Sequence, residues 1–166
     1  MAWVAGNRTT ADRLNDNHPR TIDYSAIIAN TAVSTSTTEL VAITTPTITF
    51  RDGRAFRVTY KGVAANTVAA DQIQIRIRKT SSVTNPTLLD SFRYALGAAG
   101  SYAFYFQNIF INTSGADIAV PLVGTYNRVT GGAGNISILA AAANPAYLET
   151  EDIGDSDDYP SAPTMT

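Results

Sequence analysis

The sequence contains no cysteine, one histidine and one tryptophan among its 166 residues. The absence of cysteine excludes disulfide bonds, cysteine-based zinc sites and thiol catalysis, and it argues against a small disulfide-stabilised extracellular scaffold. Charged residues are also scarce, at 16%, whereas soluble domains usually contain roughly 25%. Threonine, alanine, serine and asparagine replace them, and a surface of small uncharged side chains favours packing against other protein molecules.

Long hydrophobic runs are missing as well. The longest run of apolar and small residues, 136–143, is far shorter than the roughly 18 residues of a membrane span. No basic region followed by an apolar stretch opens the chain, so the sequence predicts no signal peptide. A net charge of −2 gives no overall attraction to nucleic acid or to an anionic membrane. We therefore expect neither as a partner, while 45% hydrophobic residues predict a buried core.

Residues that carry catalysis are few. His18 is the single histidine, and no HExxH, GxSxG, Walker A or EF-hand motif accompanies it. A glycosidase needs two carboxylates across a cleft, and Asp71 and Asp90 would form such a pair only if the fold brought them together. The sequence thus predicts no catalytic residue, no cofactor and no metal site, and a protein that is not an enzyme.

Short β-type segments separated by turn residues fill the chain from residue 22 onwards. The alternation is clearest in 54–61 and 72–79, where apolar side chains occupy one face. Pro46 predicts an interruption, and Asp52-Gly53 predicts a hairpin. Regular spacing without a long helical period predicts an all-β protein, an antiparallel β-sandwich of the jelly-roll type. The predicted strands are 24–30, 39–44, 47–50, 54–61, 72–79, 88–95, 101–111, 118–129, 135–142 and 146–153.

The two ends differ from this body. We expect an N-terminal attachment arm at 1–21, the β-sandwich domain at 22–153 and an extended, acidic, proline-containing tail at 154–166. A threonine cap predicts a short helix over 11–17 in the arm. So short a helix is not stable in isolation, so the arm must pack on the body, on another copy or on a partner.

Charge is distributed unevenly along the chain. Eleven of the twelve basic residues lie at or before Arg93, and six of the fourteen acidic residues lie between 149 and 158. One interpretation is a solvated acidic tail, and the other is head-to-tail contact between subunits. The residues predicted to make charged contacts between subunits are Arg76, Arg78, Glu149 and Glu151.

Short segments at the ends and in the body of the chain resemble small virion structural proteins of tailed bacteriophages that infect Actinobacteria. The segments FRVTYKG at 56–62, QIRIRKT at 74–80 and NPAYLETEDIG at 144–154 are similar to these proteins. The resemblance implies a non-enzymatic minor tail, head-fibre or capsid decoration protein, located in the virion and assembled in the bacterial cytoplasm. It also implies a TNF-like jelly roll that forms a homotrimer and contacts a tail or major capsid protein. The opening residues that carry the resemblance are Trp3, Gly6, Thr10, Ala11, Leu14 and Asn15, of which Trp3, Gly6, Leu14 and Asn15 are the predicted attachment residues.

The segment 101–111 carries aromatic residues at both odd and even positions. A strand that is apolar on both faces is usually buried on both, so this strand is the predicted threefold contact. Its predicted interface residues are Tyr102, Phe104, Tyr105, Phe106 and Phe110.

A carbohydrate-binding module that recognises a receptor at the virion surface is the alternative function. Sugar sites use exposed aromatic rings that stack on pyranose faces, and Tyr126 and Tyr159 are the candidates in this sequence. A host surface glycan would then be the partner.

Overall fold

Two antiparallel β-sheets pack face to face and enclose the apolar side chains of their alternating strands. The computed structural model describes residues 18–35, 37–69, 72–80, 87–95, 97–129 and 134–165. Within these ranges the regular elements are β1 (Arg20–Ile27), β2 (Leu40–Thr44), β3 (Ile48–Phe50), β4 (Arg54–Asn66), β5 (Gln72–Lys79), β6 (Thr87–Ala95), β7 (Gly100–Asn112), β8 (Ile118–Val120), β9 (Leu122–Arg128), β10 (Ile136–Leu139), β11 (Ala146–Asp155) and a 3₁₀ helix (Ser156–Asp158).

The strand order defines the fold. In the first sheet β1 pairs with β11, β11 with β4, and β4 with β7 along its whole length, while β10 joins the same edge of β4 as β11. In the second sheet the order is β2-β9-β5-β6, and the β3-β8 ribbon continues β2 and β9. The first strand therefore lies beside the last strand of the chain, in one sheet, and β2 lies beside β9 in the other. This is the jelly-roll arrangement, and the predicted fold class is confirmed.

Two prolines divide what would otherwise be longer strands. Pro46 lies between β2 and β3, and Pro121 lies between β8 and β9. The strands are interrupted there because proline has no N–H to donate to the neighbouring strand. Thr45 bridges the gap: its N–H donates to the Leu122 carbonyl at 2.9 Å, and its hydroxyl accepts from the Leu122 N–H at 2.8 Å. The interruption predicted at Pro46 is thus present, and Thr45 keeps the β3-β8 ribbon aligned with β2 and β9.

The core forms from the inner faces of the long central strands. Tyr60 is fully buried and packs edge-on against Phe104, with ring centroids 5.0 Å apart. A side chain at Gly124 would not fit beside it, since a Cβ there would lie 2.9 Å from two carbons of the Tyr60 ring. The inward residues include those that the sequence alternation predicted, namely Phe56, Val58, Tyr60, Ile73, Ile75 and Ile77.

A short insertion separates β10 from β11. Leu139 pairs with Val63 and Tyr147 with Lys61, so the two strands continue along one edge of β4. Between them, Ala141 and Asn144 exchange backbone hydrogen bonds of 3.1 and 2.9 Å. The insertion is a closed turn that leaves the register on either side unchanged.

The chain after β11 returns to the sandwich. The Ile111 N–H donates to the Pro163 carbonyl at 3.0 Å, and the Met165 N–H donates to the Ile111 carbonyl at 2.9 Å. Met165 is 1% exposed and belongs to the main core, and the Lys79 ammonium donates to its carbonyl at 2.8 Å. A solvated tail is therefore wrong for this segment, because it covers one end of the β7 edge and places an apolar side chain in the core.

Candidate interaction surfaces

The four predicted attachment residues lie outside the described residues. Trp3, Gly6, Leu14 and Asn15 all precede residue 18, where the described part of the chain begins. The helix predicted over 11–17 lies outside it as well. Attachment through this segment stays a prediction.

Strand β7 separates the predicted interface residues onto two faces. Phe104 and Phe110 are 5% and 1% exposed and pack within the core of a single copy. Assigning these two residues to a contact between copies is therefore wrong, because no surface of either remains for a partner. Tyr105 points the opposite way and is 61% exposed. On this outward face Ile109 and Ile111 pack beside the C-terminal segment, and the other outward residues are small or polar.

Tyr102 and Phe106 occupy a third environment, at an open side of the sandwich. Phe106 stacks on Phe92 of β6 with centroids 6.1 Å apart and an interplanar angle of 19°, and Tyr102 contacts Tyr94 at 5.7 Å. Both sheets end here, because β6 and β7 are their outermost strands in the described part of the chain. We call this surface the β6–β7 rim; it comprises Leu89, Phe92, Tyr94, Tyr102 and Phe106.

The two arginines predicted to contact another subunit bind a carboxylate of their own chain. Arg78 binds Glu39 through two nitrogens at 2.6 and 2.7 Å, and Arg76 binds it at 2.5 Å. Burial alone would raise the pKa of Glu39, but hydrogen bonds from Arg78, Thr125 and Arg76 outweigh it and lower the pKa to about 2. The sequence did not reveal this partner, because Glu39, which immediately precedes β2, is brought beside β5 only by the folded sheet. A contact of these arginines with another subunit stays a prediction.

Glu149 and Glu151 are also engaged within the chain. Both lie on the outer face of the first sheet, where Glu149 accepts from the Thr21 hydroxyl at 3.1 Å and Glu151 pairs with Arg57 at 3.3 Å. Their assignment to contacts between subunits stays a prediction. They are residues of a strand in the sheet and not of a free acidic segment.

Asp152 forms the most buried ion pair at the end of the first sheet. Its side chain is 3% exposed and binds Arg54 through two guanidinium nitrogens, at 2.6 and 3.0 Å from Oδ1. The Gly154 N–H donates to the same oxygen at 3.2 Å. This carboxylate therefore fixes the bulge that ends β11, and its role is structural.

The two tyrosines predicted to stack on sugars differ in their accessibility. Tyr126 is 1% exposed, and its hydroxyl donates to the Ala32 carbonyl at 2.7 Å. It is a core residue, so its assignment to a sugar site is wrong. Tyr159 is half-buried and lines a surface groove.

A row of tyrosines that the sequence did not reveal crosses the outer face of the first sheet. The register aligns Tyr147 of β11, Lys61 of β4 and Tyr105 of β7 on adjacent strands. Tyr24 of β1 joins them, with its ring 5.0 Å from that of Tyr147. We call these three tyrosines with Lys61 the tyrosine platform. The sequence signal was a tyrosine at an outward position of three of these strands and a lysine on the fourth, a pattern that predicts no surface until the register is known.

The tyrosine platform leads into the groove that contains Tyr159. Gln107 and Ile109 follow Tyr105 on the same face of β7 and form one wall, while 158–163 forms the other. The groove has a volume of about 510 Å³. Platform and groove together form one continuous outer surface of the first sheet.

Within the described ranges, no three histidine, aspartate or glutamate side chains converge in a way that would hold a metal ion. The same part of the chain contains no helix with the length and apolar character of a membrane span.

Comparison with known proteins finds similarity at the level of the fold. The sequence matches no family model, and no curated protein matches it significantly. The structure is similar to Eiger TNF from S. frugiperda, with a TM-score of 0.45 and 8% identity over 82% of this chain and 95% of that chain.

Two structures of infectious bursal disease virus are also similar. For the Gx strain the TM-score is 0.49 at 12% identity, covering 94% of this chain and 41% of the viral chain. For the VP2 subviral particle the TM-score is 0.47 at 10% identity, covering 84% and 38% respectively. The chain spans about two fifths of the length of these viral chains. The jelly-roll assignment itself rests on the strand order.

Proposed function

We propose that the protein is a non-enzymatic structural subunit of a virus particle, and that copies of it assemble through the β6–β7 rim. Support for the virion role comes from the jelly-roll strand order and from the resemblance of the chain to small bacteriophage virion proteins. The observation that carries the self-assembly is the rim itself. It presents inward-facing apolar residues at a side of the sandwich where neither sheet continues.

The rim has the composition of an interface between protein molecules. Phe92 is 37% exposed although it stacks on Phe106, and Tyr94 and Tyr102 are half-buried beside them. Aromatic residues are enriched at interfaces, and partly exposed aromatic clusters gain most from being covered. Three copies close into a ring around a threefold axis when the β6 side of each rim contacts the β7 side of the next, because a head-to-tail contact of this kind generates rings.

Charged groups of the chain fit a structural role. Glu39, Glu151 and Asp152 each bind arginine in the folded chain. A general acid needs a raised pKa, whereas that of Glu39 falls to about 2. These carboxylates stabilise the sandwich, and the proposal assigns none of them a catalytic step.

The self-assembly is tested by the molar mass of the purified protein in solution. The expected value is three times the 17.7 kDa of one copy. Phe92→Asp should reduce it to one copy, because the contact would then bury an unpaired charge. Val41→Asp is the matched control, since Val41 is 41% exposed on β2, at the opposite edge of the same sheet, and it should leave the mass unchanged. A wild-type monomer, or a Phe92→Asp protein that keeps the wild-type mass, contradicts the proposal.

The virion role is tested on the particle. Cryo-EM should find the protein in the virion, with hundreds of copies for a capsid decoration protein and a handful for a tail protein. Removal of residues 1–17 should leave a folded oligomer that no longer joins the particle. Normal incorporation of the truncated protein would show that this segment is not the anchor.

A further inference from the structure

We propose that the tyrosine platform and the adjoining groove bind a neutral polysaccharide. This binding site goes beyond the assembly role, and it uses a different surface from the β6–β7 rim. The platform lies on the outer face of the first sheet, whereas the rim consists of residues from the inner faces of the edge strands.

The rings of the platform are accessible and nearly continuous. Tyr24 is 51% exposed and Tyr105 is 61% exposed. Tyr147 lies between them, 5.0 Å from Tyr24 by ring centroids and two strands away from Tyr105, which corresponds to roughly 10 Å. Exposed aromatic clusters of this kind mark binding sites. Three rings on one flat sheet suit a ligand that is long and has flat apolar faces.

The charges on this face favour a neutral ligand. Lys61 is the cation of the cross-strand row that contains Tyr147, and Glu149 is the anion of the next row along the strands. In the row beyond, Arg57 pairs with Glu151. A nucleic acid needs a cationic track along its backbone, and an anionic membrane needs a basic cluster. Neither is present on the described part of this face, since its cations are matched by acids.

The position of Lys61 favours a sugar over a protein partner. Its ammonium lies 5.6 Å from the centre of the Tyr147 ring, in the middle of the platform. The core of a dry protein interface is depleted of charge, because burying an unpaired ammonium is costly. Sugar hydroxyls accept from an ammonium and donate to a carboxylate without bringing a counter-charge, while the C–H face of a pyranose packs on the aromatic ring.

The groups beside the rings supply further hydrogen bonds. Burial and the negative charge of Glu149 raise the pKa of the Tyr147 phenol, so its hydroxyl stays protonated and both donates and accepts. Gln107 donates to the Thr59 hydroxyl at 3.1 Å and retains its amide oxygen at the wall of the groove. A chain lying across the platform would therefore pass Gln107 and place one residue in the groove beside Tyr159.

Binding is tested on an array that carries neutral, acidic and amino-sugar oligosaccharides, followed by calorimetry with the best neutral chain. Wild-type protein should retain neutral chains. Tyr24→Ala and Tyr105→Ala should each weaken binding about tenfold, because each removes one stacking ring. Tyr105→Phe should bind within about threefold of wild type, since it keeps the ring.

Val41→Ala, an exposed apolar residue on the other sheet, is the control and should bind normally. The molar mass of every variant is measured as well, and it should equal that of wild type because the rim is untouched. Binding of acidic oligosaccharides alone overturns the proposal and would indicate a charged ligand. Binding of no oligosaccharide overturns it as well and would indicate a protein partner. Unchanged affinity in both alanine variants overturns it too, whatever the outcome of the assembly test.

Discussion

Gly124 is the position where the packing of the two sheets is most directly testable. A methyl group added there would lie 2.9 Å from Cε1 and Cζ of Tyr60 and 3.2 Å from Cδ1 of Leu148. The Tyr60 ring has no room to retreat, because it is fully buried against Phe104 and lies 5.8 Å from Phe106 by centroids. Overpacking of this kind costs roughly 1–3 kcal/mol.

The expected result for Gly124→Ala is a lower free energy of unfolding, measured by urea titration. For a chain of this length a loss of about 2 kcal/mol lowers the melting temperature by roughly 4–8 °C. Gly97→Ala is the control, because a Cβ there meets nothing within 4 Å, and it should change the free energy by less than about 0.5 kcal/mol.

A double-mutant cycle identifies the cause. In the Tyr60→Leu background the clashing ring carbons are gone, so Gly124→Ala should cost much less than in the wild-type protein. The reasoning is refuted if Gly124→Ala is as stable as wild type, or if its cost is the same in both backgrounds.

Three further predictions concern buried polar groups. Burial disfavours the Glu39 carboxylate, but its arginine and threonine hydrogen bonds lower its pKa from 4.5 to about 2. The carboxylate should therefore contribute about 2 kcal/mol to the free energy of unfolding above pH 4.5, and this contribution is lost as the pH falls towards 2. Glu39→Gln should abolish this pH dependence in unfolding titrations. Asp152→Asn removes the buried negative charge that Arg54 binds and should cost about 3 kcal/mol. Glu151→Gln, in a more exposed pair, should cost less than about 1 kcal/mol; equal losses by urea titration would contradict this. The buried Tyr60 hydroxyl has no hydrogen-bond partner, so Tyr60→Phe should raise the melting temperature or leave it unchanged, and a marked decrease would count against the assigned environment.

The sequence predicted those parts of the fold that depend on local alternation. Ile73, Ile75 and Ile77 face inward as expected, since one buried sheet face imposes a period of two. The same rule applied to 101–111 failed at its outer face. Tyr105, Ile109 and Ile111 together resembled a second buried face. Ile109 and Ile111 do pack beside the C-terminal segment, but Tyr105 is exposed in the tyrosine platform.

The interaction surfaces were harder to predict because they depend on strand order. Tyr24, Lys61, Tyr105 and Tyr147 come from four strands distant in sequence, and only the register places them together. The partner of Arg76 and Arg78 was missed for the same reason. A carboxylate 37 positions earlier is invisible to any argument from spacing along one strand.

The closed turn between β10 and β11 makes the sandwich tolerant of added sequence at one defined point. Each flanking strand is held to β4 by its own pairs, and the turn between Ala141 and Asn144 is secured by its own two hydrogen bonds. A foreign peptide grafted at this turn would leave the neighbouring ladder intact, so the protein offers a built-in position for displaying an epitope.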